Sequence, residues 1–590
     1  MSTPKMPYTD VLIVGSGPMG SATALALAIQ GIDCQVVSKQ KWLANSPRAH
    51  IVNQRAMEVL RDLGVEEECL RAGTSWDKMG DMVFATSLAG EEIARLHTWG
   101  TGDERATDYR TASPCGLLDL IQPLMEPILV DAAAARGAAF TFSTEYLSHV
   151  QDGDGVTTTV RDRLRGETYE IRSRYLVGAD GARSKVAEDL GLTIEGRMGR
   201  AGTMYTLFDA DLTRFVGHRP SILHRLVNPI ATTGDMALAT LRAIKPWTQW
   251  IIGWGYDIEQ GEPTISDDEL IARLRVLIGD DDVPISIVQR SYWQVNEAYA
   301  TTYSKGRVFC GGDAVHRHPP SSGLGSNTCL QDAFNLAWKL AFGVRGDAGP
   351  ALLESYSAER MPVGRGIVER ANQSRHDYAP LRSVLKDAGI DTSVETALAA
   401  LRAPDAAGAE LRTRLEAAVD LKSDEFNAQG IELDHRYAST AVLADPAAPP
   451  ETWTRSRIRH VQPTTRPGAK LPHAWLVDAD GHRFSTLDAV GRGRFTVLTG
   501  LTGHAWADAA ASLDVDWLRT VVVGAHGFAD PYFEWSRARE VEEGGVLLVR
   551  PDAYVAWRHA PVDSSEEAGR LLRSALASVL DNPNLGGSDD

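Results

Sequence analysis

The chain has 590 residues, of which 43% are hydrophobic and 23% are charged, as in a globular protein of several domains. Its 60 basic and 78 acidic residues give a formal net charge of −18, which argues against nucleic acid or an anionic membrane as a partner. The N-terminus lacks the apolar core of a signal peptide and no apolar run reaches about 18 residues, so we expect a cytoplasmic protein.

Five cysteines lie far apart and form no C-x-x-C pair: Cys34, Cys69, Cys115, Cys310 and Cys329. This spacing excludes a disulfide framework and a cysteine-based zinc site. We therefore predict no metal site, and we expect each cysteine to be a small buried side chain.

The N-terminal segment predicts a βαβ unit. The run "DVLIVG" predicts a strand, residues from about Met19 to Gln30 predict a helix, and "CQVVS" predicts the next strand. The turn between the first strand and the helix carries three glycines with the spacing G-x-G-x-x-G, which is typical of dinucleotide-binding sites.

Each glycine of this turn has its own physical reason. Gly15 permits the tight turn, Gly17 lets the backbone approach a pyrophosphate, and Gly20 lets the helix pack closely on the strand. The helix N-terminus then offers free N–H groups to the anion. The second strand, however, ends in Ser38 and Lys39, where dinucleotide-binding proteins usually have a carboxylate for the ribose.

The predicted secondary structure changes along the rest of the chain. Residues 195–299 contain short alternating runs rich in Trp, Thr and Arg, such as "WTQWIIGWGYD", which predict an antiparallel sheet. Residues 326–345 and 350–375 predict two helices, and 380–425 predict surface helices. The segment from residue 461 predicts a further β/α unit, with strands at "RFTVLTG", "LRTVVVG" and "GVLLVR".

Two more motifs follow the glycine turn along the chain. In "YLVGADGARSKV" a strand runs into Asp180, and in "GRVFCGGDAVHRHPPSSGLGSN" a strand runs into Asp313. The second motif continues through a Pro-Pro turn to Gly325, which opens a long helix whose N–H groups could stabilise a developing negative charge. Taken alone, Asp313 could equally be a helix-capping or turn carboxylate.

Together the three motifs resemble, in order and spacing, the fingerprints of the class A flavoprotein aromatic hydroxylases. Other stretches, among them "SPRAHIVNQRAMEVLRDLG", "LHTWGTG" and "LIQPLMEPIL", resemble the bacterial phenol hydroxylases that act on chlorophenols and 2-hydroxybiphenyl. The similarity covers nearly the whole chain. It departs from the family at Ala187, where many members have an arginine, and at Ser38, where they have an acid.

The resemblance implies an α/β fold with three parts. These are a Rossmann-type FAD-binding domain, an inserted β-sheet substrate domain and a C-terminal thioredoxin-like domain. The predicted ranges are 1–194 with 300–375 for the FAD-binding domain, 195–299 for the substrate domain, 376–460 for a helical connection and 461–590 for the terminal domain. The terminal domain contains no cysteine, so we expect it to be structural or to form an interface.

The resemblance also implies the chemistry. FAD is bound non-covalently, NADPH visits transiently as reductant, and a flavin C4a-hydroperoxide formed from O2 hydroxylates a phenol ortho to its hydroxyl group. The expected partners are a small phenolic substrate and O2, with a second copy of the chain in a dimer or tetramer. Two alternatives remain open: a tailoring hydroxylase for a larger aromatic polyketide, and a non-catalytic flavin-binding or electron-transfer protein.

Matching this family's motifs residue by residue assigns the site. It assigns Arg48 and Gln122 to the cofactor, although Arg48 could instead be a surface arginine and Gln122 a solvated helix residue. The predicted cofactor-binding residues are Gly15, Gly17, Gly20, Ser38, Lys39, Arg48, Gln122, Asp180, Asp313, Gly325, Ser326 and Asn327.

The predicted catalytic residues are His50, Asp119 and Pro320. His50 has the residue type to accept a phenol proton at neutral pH, although a purely structural histidine remains possible. Asp119 is expected to orient that site, or else to cap a helix. The predicted pocket walls are Trp99, Arg242 and Trp293, which sequence alone does not separate from core residues.

Overall fold

The N-terminal βαβ unit forms as predicted. The computed structural model describes residues 6–199, 201–233 and 236–586. The unit consists of the strand Tyr8–Val14, the helix Pro18–Ile29 and the strand Cys34–Val37, and its two strands are parallel. The helix is buried along most of its length because it is built from small and apolar residues that pack against neighbours on several sides.

This unit is the centre of a sheet that we call the parallel sheet. In spatial order its strands are Ser304–Lys305, Val308–Cys310, Thr168–Gly178, Tyr8–Val14, Cys34–Val37 and Ala139–Thr141, extended by Val156–Asp162 and Thr144–Gln151. Val14 lies opposite Gly178, which lies opposite Cys310, and these three strands are parallel. The three sequence motifs therefore leave the carboxyl ends of neighbouring strands at one edge of the sheet, which is where open α/β sheets bind ligands.

Two long helices lie beside this sheet and confirm the helices predicted between residues 326 and 375. They are Gly325–Arg345 and Pro350–His376. The first packs against the helix Pro18–Ile29 and contributes many side chains to the core. Its N-terminus is thereby held at the edge of the sheet where the motifs meet.

The second sheet, which we call the middle sheet, is antiparallel apart from one strand pair. In spatial order its strands are Ser286–Gln294, Gly202–Asp209, Gln249–Tyr256, Met236–Lys245, Leu223–Thr233, Met82–Ala85 and Glu92–Leu96. The last two strands come from residues predicted to belong to the FAD-binding domain. Met82–Ala85 is a fully buried apolar run that pairs on one side with Glu92–Leu96 and on the other with Leu223–Thr233, a partner remote in sequence.

The terminal domain has a mixed sheet that agrees with the predicted thioredoxin-like fold. Its strands lie in the order Leu518–Val523, Phe495–Gly500, Val546–Val549 and Val555–His559, with the first pair parallel and the others antiparallel. The helices His504–Ala511 and Ser565–Leu580 pack together and close the core on one side.

The remaining elements connect and cover these three sheets. Three short sheets form from Ile51–Val52, Leu118–Asp119 and Thr74–Ser75, from Ile194–Arg197, Glu297–Ala300 and His316–Arg317, and from Trp475–Val477 and Arg483–Ser485. The other α-helices are Gln54–Asp62, Glu66–Ala72, Trp76–Met79, Asp103–Ala112, Gln122–Ala134, Lys185–Asp189, Thr213–Val216, Asp267–Ile278, Ala379–Asp387, Val394–Arg402, Ala406–Asp420, Ser423–Phe426, Gln429–Leu433 and Glu534–Ala538. Within the described ranges, no helix is both long enough and apolar enough to span a bilayer.

Candidate active site

A cavity of about 2040 Å³ lies between the edge of the parallel sheet and one face of the middle sheet. Most of the predicted site residues line it: Gly17, Lys39, Arg48, His50, Trp99, Gln122, Asp180, Arg242, Trp293, Asp313, Pro320, Gly325 and Ser326. The other predicted site residues are absent from its lining: Gly15, Gly20, Ser38, Asp119 and Asn327.

The glycine turn provides a cradle that fits a pyrophosphate. Gly15 has φ +109°, and a Cβ on it would lie 2.2 Å from the Ala179 carbonyl oxygen, so packing alone requires this glycine. A Cβ on Gly17 would meet only Glu126 Oε1, at 3.8 Å, and would otherwise enter the cavity. The helix that begins after Gly17 has no side-chain cap, which leaves N–H groups of its first turn available to an anion.

The two aspartates of the other motifs have different surroundings. Asp180 accepts hydrogen bonds from the Ser184 hydroxyl at 2.5 Å and the Lys185 N–H at 2.8 Å, so it holds the start of a short helix while lining the cavity. Asp313 is exposed in the cavity wall. Its position is fixed through the preceding residue, because the Gly312 N–H donates to the buried Asp332 carboxylate at 3.0 Å. Asp313 is therefore the aspartate more available to a ligand.

Two predicted cofactor residues instead bond to the protein itself. The Asn327 amide donates to the Ile51 carbonyl at 2.7 Å and accepts from the Asn53 N–H at 3.0 Å, which joins the long helix to the segment after His50. Ser38 is buried and accepts a hydrogen bond from the Ser16 hydroxyl at 3.1 Å. The structure shows these contacts of Asn327 and Ser38 within the protein. Direct contact of either residue with a cofactor stays a prediction.

Gln122 and Arg48 lie on adjoining segments at the cavity wall. The Gln122 N–H donates to the Arg48 carbonyl at 2.9 Å, and the Gln122 side-chain amide donates to Glu126 at 2.6 Å. The other oxygen of Glu126 accepts from the Ala44 N–H at 2.7 Å, and burial raises the pKa of this carboxyl group. Glu126 was not predicted as a site residue, although its i,i+4 spacing from Gln122 could have indicated the contact.

His50, Asp119 and Arg242 meet in one buried cluster. One oxygen of Asp119 lies 2.9 Å from Arg242 Nη2 and 3.7 Å from His50 Nδ1. Their side chains are 5%, 13% and 13% exposed for Asp119, Arg242 and His50. His50 and Asp119 are neighbours because Ile51 pairs with Asp119 in a short antiparallel ladder, and the middle sheet supplies Arg242.

The electrostatics of this cluster favour a neutral imidazole beside a carboxylate. Burial, assisted by the charge of Arg242 and opposed by Asp119, lowers the pKa of His50 to about 4. Burial alone would raise the pKa of Asp119, but Arg242 and then His50 outweigh it and lower that pKa. At neutral pH His50 is thus uncharged and has a nitrogen free to accept a hydrogen bond, and Asp119 is the group that favours its protonated form.

Aromatic side chains form much of the remaining wall. Trp99 is buried and its ring meets Phe426 edge-on at a centroid distance of 5.9 Å, while Trp293 and Pro320 face the same cavity. Tyr205 is a further lining residue that the sequence did not reveal. A Cβ on Gly253 would lie 2.4 Å from the Tyr205 ring, and this glycine inside a strand was the available indication of a close approach.

Comparison with known proteins agrees with this geometry. The family profile "FAD binding domain" matches residues 8–371, and "Aromatic-ring hydroxylase, C-terminal" matches 464–583. A phenol 2-monooxygenase of Pseudomonas sp. (strain EST1001) is 47% identical, with 93% of this chain and 90% of that protein covered. A 2,4-dichlorophenol 6-monooxygenase of Delftia acidovorans is 44% identical, with 97% and 98% covered.

A solved structure extends the likeness to three dimensions. The flavin-dependent monooxygenase PieE, crystallised with FAD and substrate, has a TM-score of 0.92 and 40% identity, covering 98% of this chain and 100% of that one. The profile matches span the parallel sheet and the terminal domain, and the open cradle at Gly17 fits the cofactor that PieE holds. The chain belongs to the FAD-dependent aromatic-ring hydroxylases, in their phenol 2-monooxygenase branch.

Proposed function

We propose that the protein hydroxylates a monophenol ortho to its hydroxyl group, consuming NADPH and O2 and releasing a catechol and water. The observation that carries this proposal is His50, which lies next to Asp119 and lines the cavity that also contains the open glycine cradle. The named activities of the phenol 2-monooxygenase and 2,4-dichlorophenol 6-monooxygenase relatives support it.

The proposed task of His50 is to hold the phenol oxygen and take its proton. Nδ1 is the imidazole nitrogen nearer to Asp119, which leaves Nε2 as the nitrogen that can accept from a ligand. Deprotonation raises the electron density at the ring carbons ortho and para to the oxygen. Asp119 would stabilise the imidazolium formed, and Arg242 would keep Asp119 ionised.

The cofactor-binding residues complete the proposal. The first-turn N–H groups after Gly17 would hold the pyrophosphate of FAD, with Arg48 beside them, and Asp313 would hold sugar hydroxyls. The start of the helix Gly325–Arg345 would stabilise negative charge on the flavin ring system. Bound FAD supplies the activation of O2, and NADPH supplies two electrons.

Substrate-stimulated NADPH oxidation tests this function. Purified holoenzyme should oxidise NADPH faster when a simple phenol is added, and catechol should accumulate. A non-catalytic flavoprotein predicts a rate that does not respond to a phenol. A hydroxylase of larger polyketides predicts stimulation by polycyclic phenols and none by simple ones, and either result would refute the proposed substrate class.

The assembly is a separate part of the proposal. We infer a dimer or tetramer of identical chains, with the terminal domain as a candidate interface because it exposes the large side chains Leu501, Tyr532 and Phe533. Light scattering of the purified protein measures the mass directly. A monomer at micromolar concentration would contradict this part and leave the chemistry untouched.

A further inference from the structure

The middle sheet presents an ordered row of side chains to the cavity. Arg225, Thr240, Gly253, Tyr205 and Ser291 pair in succession across five neighbouring strands. All five line the cavity, as expected for residues in register on one face of a sheet. Because Gly253 has no side chain, the Tyr205 ring fits against the sheet at this point.

Arg225, at one end of this row, carries a charge that no carboxylate neutralises. Its guanidinium donates to the Thr240 hydroxyl and lies 5.1 Å from the centre of the Tyr378 ring. Within the ranges that the structure describes, no ion pair includes Arg225, and its buried Nε has no hydrogen-bond partner. Arg242 contrasts with it, because Asp119 lies 2.9 Å from that guanidinium.

The facing wall adds no net negative charge at this point. The carboxylate of Glu425 lines the cavity, but Lys422 Nζ lies 2.5 Å from it and offsets its charge. Arg382, one helical turn after Tyr378, also lines the cavity and has a buried Nε without a partner in the described chain. Arg225 and Arg382, for which the described ranges contain no carboxylate partner, thus place positive charge next to a space for a ligand.

The spacing between Arg225 and Arg242 suggests what the ligand is. Leu223 lies opposite Arg242, and Arg225 is two residues further along the same strand. Such diagonal neighbours in an antiparallel pair are roughly 7–8 Å apart between Cα atoms, a distance comparable with the span of a substituted benzene ring. A phenol whose oxygen meets His50 near Arg242 can therefore direct a substituent toward Arg225.

We propose that Arg225, assisted by Arg382, binds an oxyanion carried by the substrate, so that the preferred substrates are phenols with a carboxylate or similar anionic substituent. This inference rests on the proposed phenol hydroxylation for the identity of the ring, but the binding step is independent of turnover. A half-buried guanidinium that has no carboxylate partner gains from an anionic acceptor in the cavity, because hydrogen bonds between two charged groups are stronger than those to a neutral group.

A phosphate of NADPH is the other source of an oxyanion. We favour the substrate as the source because Arg225 lies on the face of the middle sheet that also carries Arg242, the arginine that contacts Asp119. The two sources differ in what a change at Arg225 would weaken. Loss of a substrate contact weakens binding of the anionic phenol alone, whereas loss of a nucleotide contact raises the KM for NADPH with every phenol.

The test compares 3-hydroxybenzoate with its neutral analogue 3-hydroxybenzyl alcohol. Dissociation constants are measured from the flavin absorbance of oxidised holoenzyme without NADPH, for the wild type, Arg225→Met and Arg225→Gln. Lys245→Met is the matched control, because it removes an exposed positive charge at the end of the strand that also carries Thr240. Flavin content and circular dichroism show whether each variant is folded.

The wild type should bind the benzoate at least about 10-fold more tightly than the alcohol. Arg225→Met should weaken the benzoate about 10- to 100-fold and change the alcohol less than about threefold, while Lys245→Met changes neither. The inference fails if the wild type has no preference for the anion, a result that needs no folded variant. It also fails if both ligands weaken equally, or if only the KM for NADPH rises.

These outcomes separate this inference from the proposed hydroxylation. Binding that depends on Arg225 without catechol formation would leave the oxyanion site standing and refute the hydroxylase proposal. Hydroxylation of unsubstituted phenol with no preference for the benzoate would support the hydroxylase proposal and refute the oxyanion site.

Discussion

Replacement of His50 by alanine should separate flavin reduction from hydroxylation. The residue lines the cavity, and among the described residues no hydrogen bond or ion pair joins its side chain to the glycine cradle, so FAD binding and NADPH oxidation should persist. Loss of a general base typically lowers the rate of the assisted step about 10²- to 10⁴-fold. The reducing equivalents should then leave as hydrogen peroxide rather than as catechol.

The pKa of His50 makes this prediction quantitative in pH. A histidine with an ordinary pKa near 6.5 would be about 10% neutral at pH 5.5, whereas a pKa of about 4 leaves about 97% neutral. The contribution of neutral His50 to hydroxylation by the wild type should therefore persist at pH 5.5. Since burial in the free enzyme causes this shift, kcat/KM for the phenol is the parameter that reports it.

The assay measures catechol formed per NADPH consumed between pH 5 and 8, for the wild type and His50→Ala. His97→Ala is the control, because that imidazole is 56% exposed and lies outside the cavity lining. Wild-type coupling in His50→Ala would remove His50 from the mechanism. An acidic limb of kcat/KM near pH 6.5 that disappears in the variant would refute the environment inferred for the imidazole.

Three further substitutions test the cradle, the buried cluster and the domain contact. Gly17→Val should abolish FAD binding, whereas Gly153→Val, at an open position, should leave the flavin absorbance unchanged; retained flavin in the first variant would contradict the cradle. Asp119→Asn should lower the free energy of unfolding by about 3–5 kcal/mol at pH 7, because it leaves Arg242 buried without its counter-charge. Because the pKa of Asp119 is lowered on folding, its stabilisation is full above its ordinary pKa of 3.8 and is lost as the pH falls below that value, so urea unfolding of the two proteins should converge in acid. Arg550→Met should also lower the free energy of unfolding by about 3–5 kcal/mol, because Arg550 donates to Glu359 at 2.5 and 2.8 Å across the contact with the terminal domain. The control Arg570→Met, at an exposed position, should leave the free energy of unfolding unchanged. Equal unfolding curves for Arg550→Met and the wild type would contradict a structural role for the pair.

The sequence predicted the parts of the fold that depend on local pattern. Strand, turn and helix composition placed Gly17, Asp180 and Asp313 after three strands, and the parallel order of those strands brings the motifs together. The predicted ends of both long helices after the third motif differ from the observed ends by one residue at most. These features follow from residues near one another in the chain.

Features that depend on tertiary contacts were harder to predict. The strand Met82–Ala85 joins the middle sheet only because Leu223–Thr233 offers it a free edge. Arg242 was predicted as a pocket wall, but its contact with Asp119, 123 positions away, follows from the docking of two sheets. Tyr205 and Arg225 face the cavity through strand register, which the alternating sequence alone does not fix.

The most direct measurement is product analysis after turnover of phenol with NADPH and ¹⁸O2. Ortho hydroxylation assisted at the phenol oxygen by His50 predicts catechol with one ¹⁸O atom, while the original hydroxyl oxygen stays unlabelled. Hydroquinone as the product, or a catechol whose new oxygen comes from water, would contradict it.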